Sequence, residues 1–210
     1  MTTMTARMET DAALRSRLDV YAELLRKWQL KINLVGPSTL PELWVRHFDD
    51  SLQLLPIAGA WSHWVDLGSG GGFPGLVIAL ASEGQGRTIH LVESDKRKAA
   101  FLREVSRETQ AKVEIHVDRI ETVLPQIVSQ VHVDVVSARA LAPLRDLIEY
   151  ARPALEKGAV GLFLKGKALP GELTGWAPEA SLNLTLVDSR TDSNAKIVVV
   201  RGYDSKPASV

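Results

Sequence analysis

The stretch that decides the fold runs Val65-Asp66-Leu67-Gly68-Ser69-Gly70-Gly71-Gly72-Phe73-Pro74-Gly75. The periodicity predicts a strand at His63–Leu67 before the glycines and an apolar helix over residues 72–81 after them. Glycine tolerates positive φ and lets the backbone approach a ligand, and the first turn of a helix offers free N–H groups. The turn is therefore predicted to hold a cofactor at the carboxyl end of the first strand.

Two cofactors compete for this turn. Gly70, Gly72 and Gly75 match the dinucleotide spacing, in which a pyrophosphate rests on the helix N-terminus. Counting from Asp66 instead gives an acid followed by Gly68, Gly70 and Gly72. A carboxylate beside a pyrophosphate would cost on the order of 1 to 4 kcal/mol. S-adenosylmethionine carries a cationic ammonium and sulfonium and no phosphate, so the acid favours S-adenosylmethionine.

Two further acidic positions follow the next strands. Glu93 ends the predicted strand Thr88–Val92, where such sheets place a carboxylate that accepts hydrogen bonds from ribose hydroxyls. NAD-binding folds use the same feature, so Glu93 does not discriminate between the cofactors. Asp118, Ile120 and Glu121 follow the third strand, where a turn can contact adenine. Asp118 could equally be a helix N-cap with Glu121 three residues later, and the two roles are compatible.

The fold class predicted from the alternation of strands and helices is α/β, a Rossmann-like, doubly wound and mostly parallel seven-stranded sheet. The last two strands should form an antiparallel hairpin around Asp192-Ser193-Asn194. The predicted strands are His63–Leu67, Thr88–Val92 and residues 113–117, 131–137, 160–164, 182–187 and 197–200, and the predicted helices after the first strand are residues 72–81, 95–110, 120–128 and 143–155.

Two amphipathic helices are predicted before the sheet, over residues 12–34 and 41–55, with Gly36-Pro37 ending the first and Pro56 ending the second. The predicted organisation is a helical extension packed on the core (residues 1–60), a methyltransferase domain (residues 61–202) and a tail (residues 203–210).

Composition excludes several kinds of chemistry. The chain has 210 residues, 25 basic and 25 acidic side chains, five histidines and no cysteine. Disulfides, thiolate metal sites and cysteine nucleophiles are ruled out, and no metal site is predicted. No secretory segment or apolar run of about 18 to 20 residues is visible, so we expect a cytoplasmic protein with no membrane partner. Formal neutrality means that any anionic ligand must be met by a local basic patch.

The loop after the fourth strand, Ser137-Ala138-Arg139-Ala140, limits which atom could accept a methyl group. It lacks the Asn/Asp-Pro-Pro-aromatic motif typical of exocyclic-amine methylation, and methylation of pyrimidine C5 requires a cysteine. Arg139 suits a phosphate or the O6 and N7 edge of guanine, or else forms an ion pair with Asp134 or Asp146. Guanine N7 has a lone pair and no proton to lose, so its methylation needs alignment and no catalytic residue.

Basic residues on the substrate side could position an RNA. The candidates are Arg46, His47, Arg139 and Lys165, with Lys167 beside Lys165. The alternative for Lys165 and Lys167 is that they are solvated charges at the end of a strand. The alternative for His47 is that it is an exposed or hydrogen-bonded helix residue.

Taken together, the motifs resemble the bacterial small-subunit ribosomal RNA methyltransferase G family, also called glucose-inhibited division protein B. The resemblance covers nearly the whole chain and rests on Asn33-Leu34, Arg46-His47, Asp50-Ser51, the glycine stretch, Ser137-Ala138-Arg139-Ala140 and Leu164-Lys165-Gly166. It implies methyl transfer from S-adenosylmethionine to N7 of a guanine in 16S rRNA, nucleotide 527 near the decoding site, within the 30S subunit or an assembly precursor. A monomer is expected.

The resemblance also implies cofactor contacts at Gly68, Phe73, Ile120, Glu121 and Arg139. Gly71 departs from the family pattern, in which many members carry alanine or proline. Two alternatives stay open. The first is an NAD-dependent oxidoreductase, for which the proton donor near the fourth or fifth strand is missing. The second is a ribosome-assembly factor that binds S-adenosylmethionine and RNA without catalysis.

Overall fold

Seven strands form one sheet in the computed structural model, which describes residues 2–176 and 182–203. The strands are β1 (His63–Leu67), β2 (Thr88–Val92), β3 (Glu114–His116), β4 (Val135–Arg139), β5 (Val160–Lys165), β6 (Leu182–Asp188) and β7 (Lys196–Tyr203). Their order is β3-β2-β1-β4-β5-β7-β6. Strands β1 to β5 are parallel, and β7 lies antiparallel between β5 and β6. The predicted fold class and the antiparallel hairpin are confirmed.

Helices cover both faces of the sheet. One apolar layer contains α1 (Thr2–Gln29), α4 (Gly75–Ala81) and α5 (Lys96–Thr109), and the other contains α6 (Ile120–Gln130) and α7 (Leu144–Leu155). The valine-rich central strands are buried on both faces because helices lie above and below them. The short helices are α2 (Asp50–Leu52), α3 (Leu55–Ala58) and α8 (Leu169–Leu173). Within the described ranges, no helix is long and apolar enough to cross a bilayer.

The first helix ends earlier than predicted, at Gln29 and not at residue 34. The Gln29 side chain accepts hydrogen bonds from the backbone N–H groups of Leu34 and Val35 and donates to the Val35 carbonyl. These bonds satisfy backbone groups of residues 34 and 35 in a loop, so the apolar spacing continues without a helix.

The predicted helix over residues 41–55 is broken into pieces. Residues Trp44–Asp49 form a π-helix, α2 continues from it, and α3 begins after a turn. The Ser51 hydroxyl donates to the His47 carbonyl at 2.6 Å, a side-chain bond of the kind that disturbs the regular ladder. The prediction that Pro56 ends the helix is wrong. Pro56 lies in the first turn of α3, where its missing N–H is not needed.

Strand β4 also starts later than predicted, at Val135 instead of residue 131, and α6 extends to Gln130. The Asp134 carboxylate, which interrupts the apolar run, accepts hydrogen bonds from the backbone N–H groups of Ser62 and His63 at 2.7 and 2.9 Å. Helix α4 begins at Gly75, since residues 70–74 form the turn before it. The chain is still in β7 at Tyr203, and the rest of the predicted tail lies outside the described residues.

Candidate functional site

A cavity of about 980 Å³ opens at the carboxyl ends of strands β1 to β5. Parallel sheets of this kind bind ligands at that edge, where the chain turns from strand to helix. The wall is completed by the loop between α1 and α2 and by the turn between β6 and β7. The predicted site residues that line it are Gly68, Gly70, Phe73, Glu93, Asp118, Ile120, Glu121, Arg139, Lys165, Arg46 and His47.

The glycine turn is fixed by close backbone packing. Gly68 and Gly72 have φ of +63° and +89°, values that favour glycine. A Cβ on Gly72 would lie 2.3 Å from the Tyr21 hydroxyl, so Gly72 is required by packing and does not face the cavity. At Gly71, a Cβ would lie 3.1 Å from the Leu34 carbonyl oxygen, so an alanine there requires a small shift of the Leu34 loop.

Asp66 is completely buried behind the turn and does not line the cavity. Its carboxylate accepts hydrogen bonds from the Ser137 hydroxyl at 2.7 Å and from the Gly75 N–H at 3.2 Å. Burial raises the pKa of Asp66 to about 6, and the hydrogen bond from Ser137 partly opposes that rise. Asp66 thus ties β1 to β4 and to the start of α4.

Glu93 links the ends of β1 and β2. One carboxylate oxygen accepts from the Gly70 N–H and the other accepts from the Asp95 N–H, both at 2.8 Å. The side chain lines the cavity although the residue is only 7% exposed. Each carboxylate oxygen has lone pairs beyond the one used by the backbone, so Glu93 can still accept hydrogen bonds from a ligand.

The third-strand turn places Asp118, Ile120 and Glu121 on one wall of the cavity. The N-cap of α6 is Arg119, which makes no side-chain cap, so the prediction that Asp118 is the N-cap is wrong. The Asp118 carboxylate accepts instead from the Arg119 N–H at 2.7 Å. Ile120 is buried at the cavity wall, whereas Asp118 and Glu121 are exposed. An apolar wall at Ile120 with an acidic rim at Asp118 and Glu121 suits a flat, polar-edged ring such as adenine.

Arg139 and His47 form a chain of hydrogen bonds with defined donors. An arginine can only donate, so Arg139 Nη2 donates to His47 Nδ1 at 2.6 Å. The His47 proton is then on Nε2, which donates to the Thr39 hydroxyl at 2.7 Å, and Thr39 donates to the Gly36 carbonyl. His47 is buried and hydrogen-bonded, as the alternative interpretation of this residue expected. Burial, with the charges of Arg139 and Arg46, lowers the pKa of His47 to about 3, so the ring is neutral.

The charge of Arg139 is balanced by Asp50. Arg139 Nη1 lies 3.6 Å from an Asp50 carboxylate oxygen and donates to the Arg46 carbonyl at 3.0 Å. The alternative ion-pair partners named from sequence, Asp134 and Asp146, are wrong because neither is the observed partner. Burial lowers the pKa of Arg139 and the Asp50 charge opposes that shift.

The β6–β7 turn holds the other side chains of the N-terminal wall. Asp50 accepts from the Thr191 hydroxyl at 2.7 Å, and Arg46 forms an ion pair with Asp192. This ion pair raises the pKa of Arg46. Sequence analysis missed Asp50 and Thr191 as site residues, because their meeting depends on two segments far apart in the chain.

The ammonium of Lys165 is paired with other groups of the protein. Its ammonium lies 2.7 Å from a Glu172 carboxylate oxygen, donates to the Ala142 carbonyl at 2.9 Å and is 9% exposed. The alternative interpretation as a solvated charge is wrong for Lys165. It holds for Lys167, which is exposed and does not line the cavity.

Phe73 is the centre of an aromatic cluster that sequence analysis missed. The Tyr21 ring stacks on it with centroids 5.2 Å apart, the His47 ring lies at 4.8 Å, and the Arg139 guanidinium lies 4.7 Å from its centroid. The Tyr21 hydroxyl donates to the Gly71 carbonyl, and burial raises the pKa of that hydroxyl. The apolar spacing of α1 indicated only that Tyr21 faces the core.

The strand order, the glycine turn after β1 and the cavity beside it define a class I methyltransferase fold. Solved structures with this fold include an O-methyltransferase from Bacillus cereus in complex with SAH, with a TM-score of 0.57 and 16% identity, covering 90% of each chain. Another is the O-methyltransferase TomG from Streptomyces achromogenes in complex with SAM, with a TM-score of 0.61 and 18% identity, covering 89% of each chain. At these identities the likeness shows the fold alone.

Relatives in sequence are much closer. The family model of rRNA small subunit methyltransferase G matches residues 14–194. Proteins named ribosomal RNA small subunit methyltransferase G are 48% identical over 193 residues in Methylobacterium nodulans and 49% identical over 185 residues in Bradyrhizobium sp. strain ORS 278. These alignments cover 90% and 88% of this chain and 87% and 82% of the relatives. The chain therefore belongs to the rRNA small subunit methyltransferase G family, which confirms the resemblance and decides against an NAD-dependent oxidoreductase.

Proposed function

We propose that the protein transfers a methyl group from S-adenosylmethionine to N7 of a guanine in 16S rRNA. The observation that carries this proposal is the cavity of the family fold, in which the glycine turn, the Glu93 carboxylate and the third-strand turn meet. The names of the relatives support rRNA of the small subunit as the substrate. The resemblance supports nucleotide 527 as the position.

The residues present fit this cofactor. Its ribose would lie at Glu93, whose carboxylate has free lone pairs, and its adenine at Ile120 and Glu121. Its amino-acid end, which carries an ammonium and a carboxylate, would lie at the glycine turn around Gly68 and Gly70. Asp66 and Gly72, which do not line the cavity, would act by holding the turn in shape through Gly75 and Tyr21. When bound, S-adenosylmethionine supplies an electrophilic methyl group on a sulfonium.

The geometry around Arg139 supports a ring nitrogen as the methyl acceptor. N7 attacks with its own lone pair as the methyl–sulfur bond breaks, so no proton needs to be removed. Both nitrogens of His47 are engaged by Arg139 and Thr39, which leaves this histidine no lone pair for a proton. A site that only aligns its reactants can still gain roughly 7 to 11 kcal/mol from proximity. Arg139 would position the base or a phosphate, held there by Asp50.

The RNA-facing side chains would be those at the cavity mouth. Arg46 is 36% exposed in its side chain and could contact a phosphate, as could Lys98 and Arg119 beside the cofactor turns. Lys165 would contribute only through its ion pair with Glu172. We further propose that the protein works in the cytoplasm as a monomer on the 30S subunit or its precursor. Residues 1–60 would be an extension that supplies Tyr21, Arg46 and His47 to the domain of residues 61–202.

A methyl-transfer assay tests the proposal. Purified protein is incubated with labelled S-adenosylmethionine and either 30S particles or naked 16S rRNA, both from a strain lacking the enzyme, and the product is mapped. The expected product is one 7-methylguanine per particle at the predicted position. Calorimetric binding of S-adenosylmethionine without methyl transfer to any RNA would favour a non-catalytic assembly factor, and NADH binding without S-adenosylmethionine binding would refute the proposal.

A further inference from the structure

A cluster of histidines lies on the sheet away from the cavity. His63, His90 and His116 come from the neighbouring strands β1, β2 and β3, and Glu114 of β3 joins them. The His63 and His90 rings stack with centroids 5.8 Å apart, and those of His90 and His116 are 5.4 Å apart. None of these four residues lines the cofactor cavity, so their grouping calls for a separate explanation.

Hydrogen bonding within the protein does not account for the cluster. His90 Nδ1 lies 3.2 Å from both His116 Nε2 and a Glu114 carboxylate oxygen. One ring nitrogen carries at most one proton, so His90 Nδ1 cannot satisfy both neighbours with good geometry. His90 is only 5% exposed, so its Nδ1 meets these two neighbours largely away from solvent.

A metal ion would satisfy all three ligand atoms at once. The donor atoms of His90, Glu114 and His116 lie within 4.8 Å of one another. Ligands at roughly 2.0 to 2.2 Å from a tetrahedral Zn²⁺ are separated by about 3.3 to 3.6 Å, close to the 3.2 Å contacts of His90. We propose that His90, Glu114 and His116 bind a divalent transition-metal ion, with Zn²⁺ the best match.

The ligand set selects the class of metal. Two imidazoles and a carboxylate suit Zn²⁺ and its neighbours in the first transition row, whereas Mg²⁺ and Ca²⁺ prefer oxygen ligands. The Glu114 side chain is 59% exposed, so an ion can enter from solvent and water can complete the coordination. The absence of cysteine ruled out thiolate sites only, and the two histidine ligands are too far apart in sequence to form a recognisable metal motif.

The ion would stabilise the edge of the sheet. Strand β3 has three residues and, among the described strands, pairs with β2 alone, so a metal bridge from β2 to β3 would stabilise an edge of the sheet. His116 is followed closely by Asp118 and Ile120 of the cavity wall. Metal binding to the folded state should therefore raise the unfolding temperature.

Calorimetry with the metal alone tests the site. Untagged protein is freed of metal with EDTA and titrated with ZnCl₂ and, separately, with MgCl₂. We expect one Zn²⁺ per chain, no measurable heat with Mg²⁺, and an unfolding temperature that rises with Zn²⁺. Glu114→Gln and His116→Gln should each weaken Zn²⁺ binding at least tenfold, since even the loss of an outer-shell partner typically costs about 10- to 100-fold.

Glu114→Gln keeps the test valid if a histidine variant fails to fold, because its side chain is exposed. His132→Gln is the matched control, since His132 is 66% exposed and lies outside the cluster, and it should bind Zn²⁺ like the parent. Intense Co²⁺ absorption bands in the parent, lost in His116→Gln, would confirm imidazole ligation. Absence of stoichiometric Zn²⁺ binding, or equal affinity in Glu114→Gln and the parent, would overturn the proposal.

Discussion

Single residues around the cavity hold their charge states because of burial and specific partners. His47 is kept neutral by its burial and by the charges of Arg139 and Arg46, and Asp66 is kept from ionising readily by its burial under the glycine turn. The two shifts act oppositely on the pH dependence of stability, which makes His47 and Asp66 separable by experiment.

His47→Gln should change the pH dependence of unfolding. The pKa of His47 is lowered to about 3, so as pH falls below about 6.5 the unfolded chain takes up a proton that the folded chain does not. This contribution to stability is lost at up to about 1.4 kcal/mol per pH unit. Glutamine can accept from Arg139 and donate to Thr39 without titrating. We expect the variant to lose less stability than the parent between pH 6.5 and 4.5 in urea denaturation.

Asp66 has the opposite effect on the pH dependence of stability, and it has this effect in both the parent and the His47→Gln variant. Its pKa is raised to about 6, so the folded state gains a proton first between about pH 6 and its ordinary value of 3.8, which favours folding there. The comparison of parent and variant cancels this contribution. Parallel stability curves for the two proteins would contradict a neutral, buried His47.

Glu93→Gln should weaken cofactor binding. The two carboxylate oxygens of Glu93 accept from the N–H groups of Gly70 and Asp95. The glutamine amide has only one acceptor oxygen, so its NH₂ group would face one of these two N–H donors. Hydrogen bonds to charged groups contribute about 1.5 to 3 kcal/mol, which predicts at least a tenfold loss of S-adenosylmethionine affinity by calorimetry. Glu108→Gln on the exposed face of α5 is the control. Unchanged affinity in Glu93→Gln would show that the proposed cofactor orientation is wrong.

The sequence placed Glu93 and Arg139 at the cavity, since Glu93 follows β2, Arg139 ends β4 and the fold class fixes where strand ends meet. It indicated Asp66 and Lys165 less well. Both have the chemistry of ligand-binding groups, but Asp66 accepts from Ser137 and Gly75, and Lys165 pairs with Glu172. Residue type predicts what a side chain can bind, while burial and neighbours decide what it does bind.

At the scale of elements, the start of α4 packs closely against β1 and β2. A Cβ on Gly75 would lie 2.4 Å from the Leu91 side chain and 2.8 Å from the Asp66 carboxylate. The strand–turn–helix pattern that predicted β1, the glycine turn and α4 depends on this close approach at Gly75. The N-terminal helices were predicted less well, because the loop at Gln29 and the π-helix at Trp44–Asp49 are set by side-chain-to-backbone bonds that apolar periodicity does not record.

Gly75→Ala should destabilise the protein through this contact. Adding a methyl group to a filled core typically costs about 1 to 3 kcal/mol. Displacement of Asp66 would in addition lower the affinity of the glycine turn for S-adenosylmethionine. Gly171→Ala in α8 is the matched control, because no atom of the described residues lies within 4 Å of its added Cβ. Chemical denaturation should separate the two variants, and equal stability would show that the strand-to-helix contact is looser than described.

At the scale of the whole molecule, the cavity is closed by segments from opposite ends of the chain. Arg46 and Asp50 of the N-terminal region contact Asp192 and Thr191 of the β6–β7 turn. The alternation of strands and helices predicted both regions but not their meeting. That meeting pairs basic with acidic groups at the cavity mouth, so fewer cations face outward than the sequence suggests.

The balanced charge of the chain predicts a weak salt dependence of rRNA binding. With 25 basic and 25 acidic residues, and with the charges of Arg46, Arg139 and Lys165 partly balanced by acidic partners, few phosphates should be neutralised. Two to four phosphate contacts give a slope of log affinity against log salt of about −1.5 to −3. Binding to 30S particles would then depend largely on the shape of the assembled RNA. The measurement is a filter-binding or fluorescence titration across a salt series.

Two variants with equal charge loss sharpen this measurement. Arg119→Gln removes a cation at the cavity rim and should make the slope shallower by about one if that residue contacts a phosphate. Arg107→Gln removes an exposed cation on α5, away from the cavity, and should leave the slope unchanged. A parent slope as steep as about −6 would require many phosphate contacts. It would mean that exposed arginines and lysines far from the cavity mouth form the RNA-binding surface, and that shape recognition contributes little.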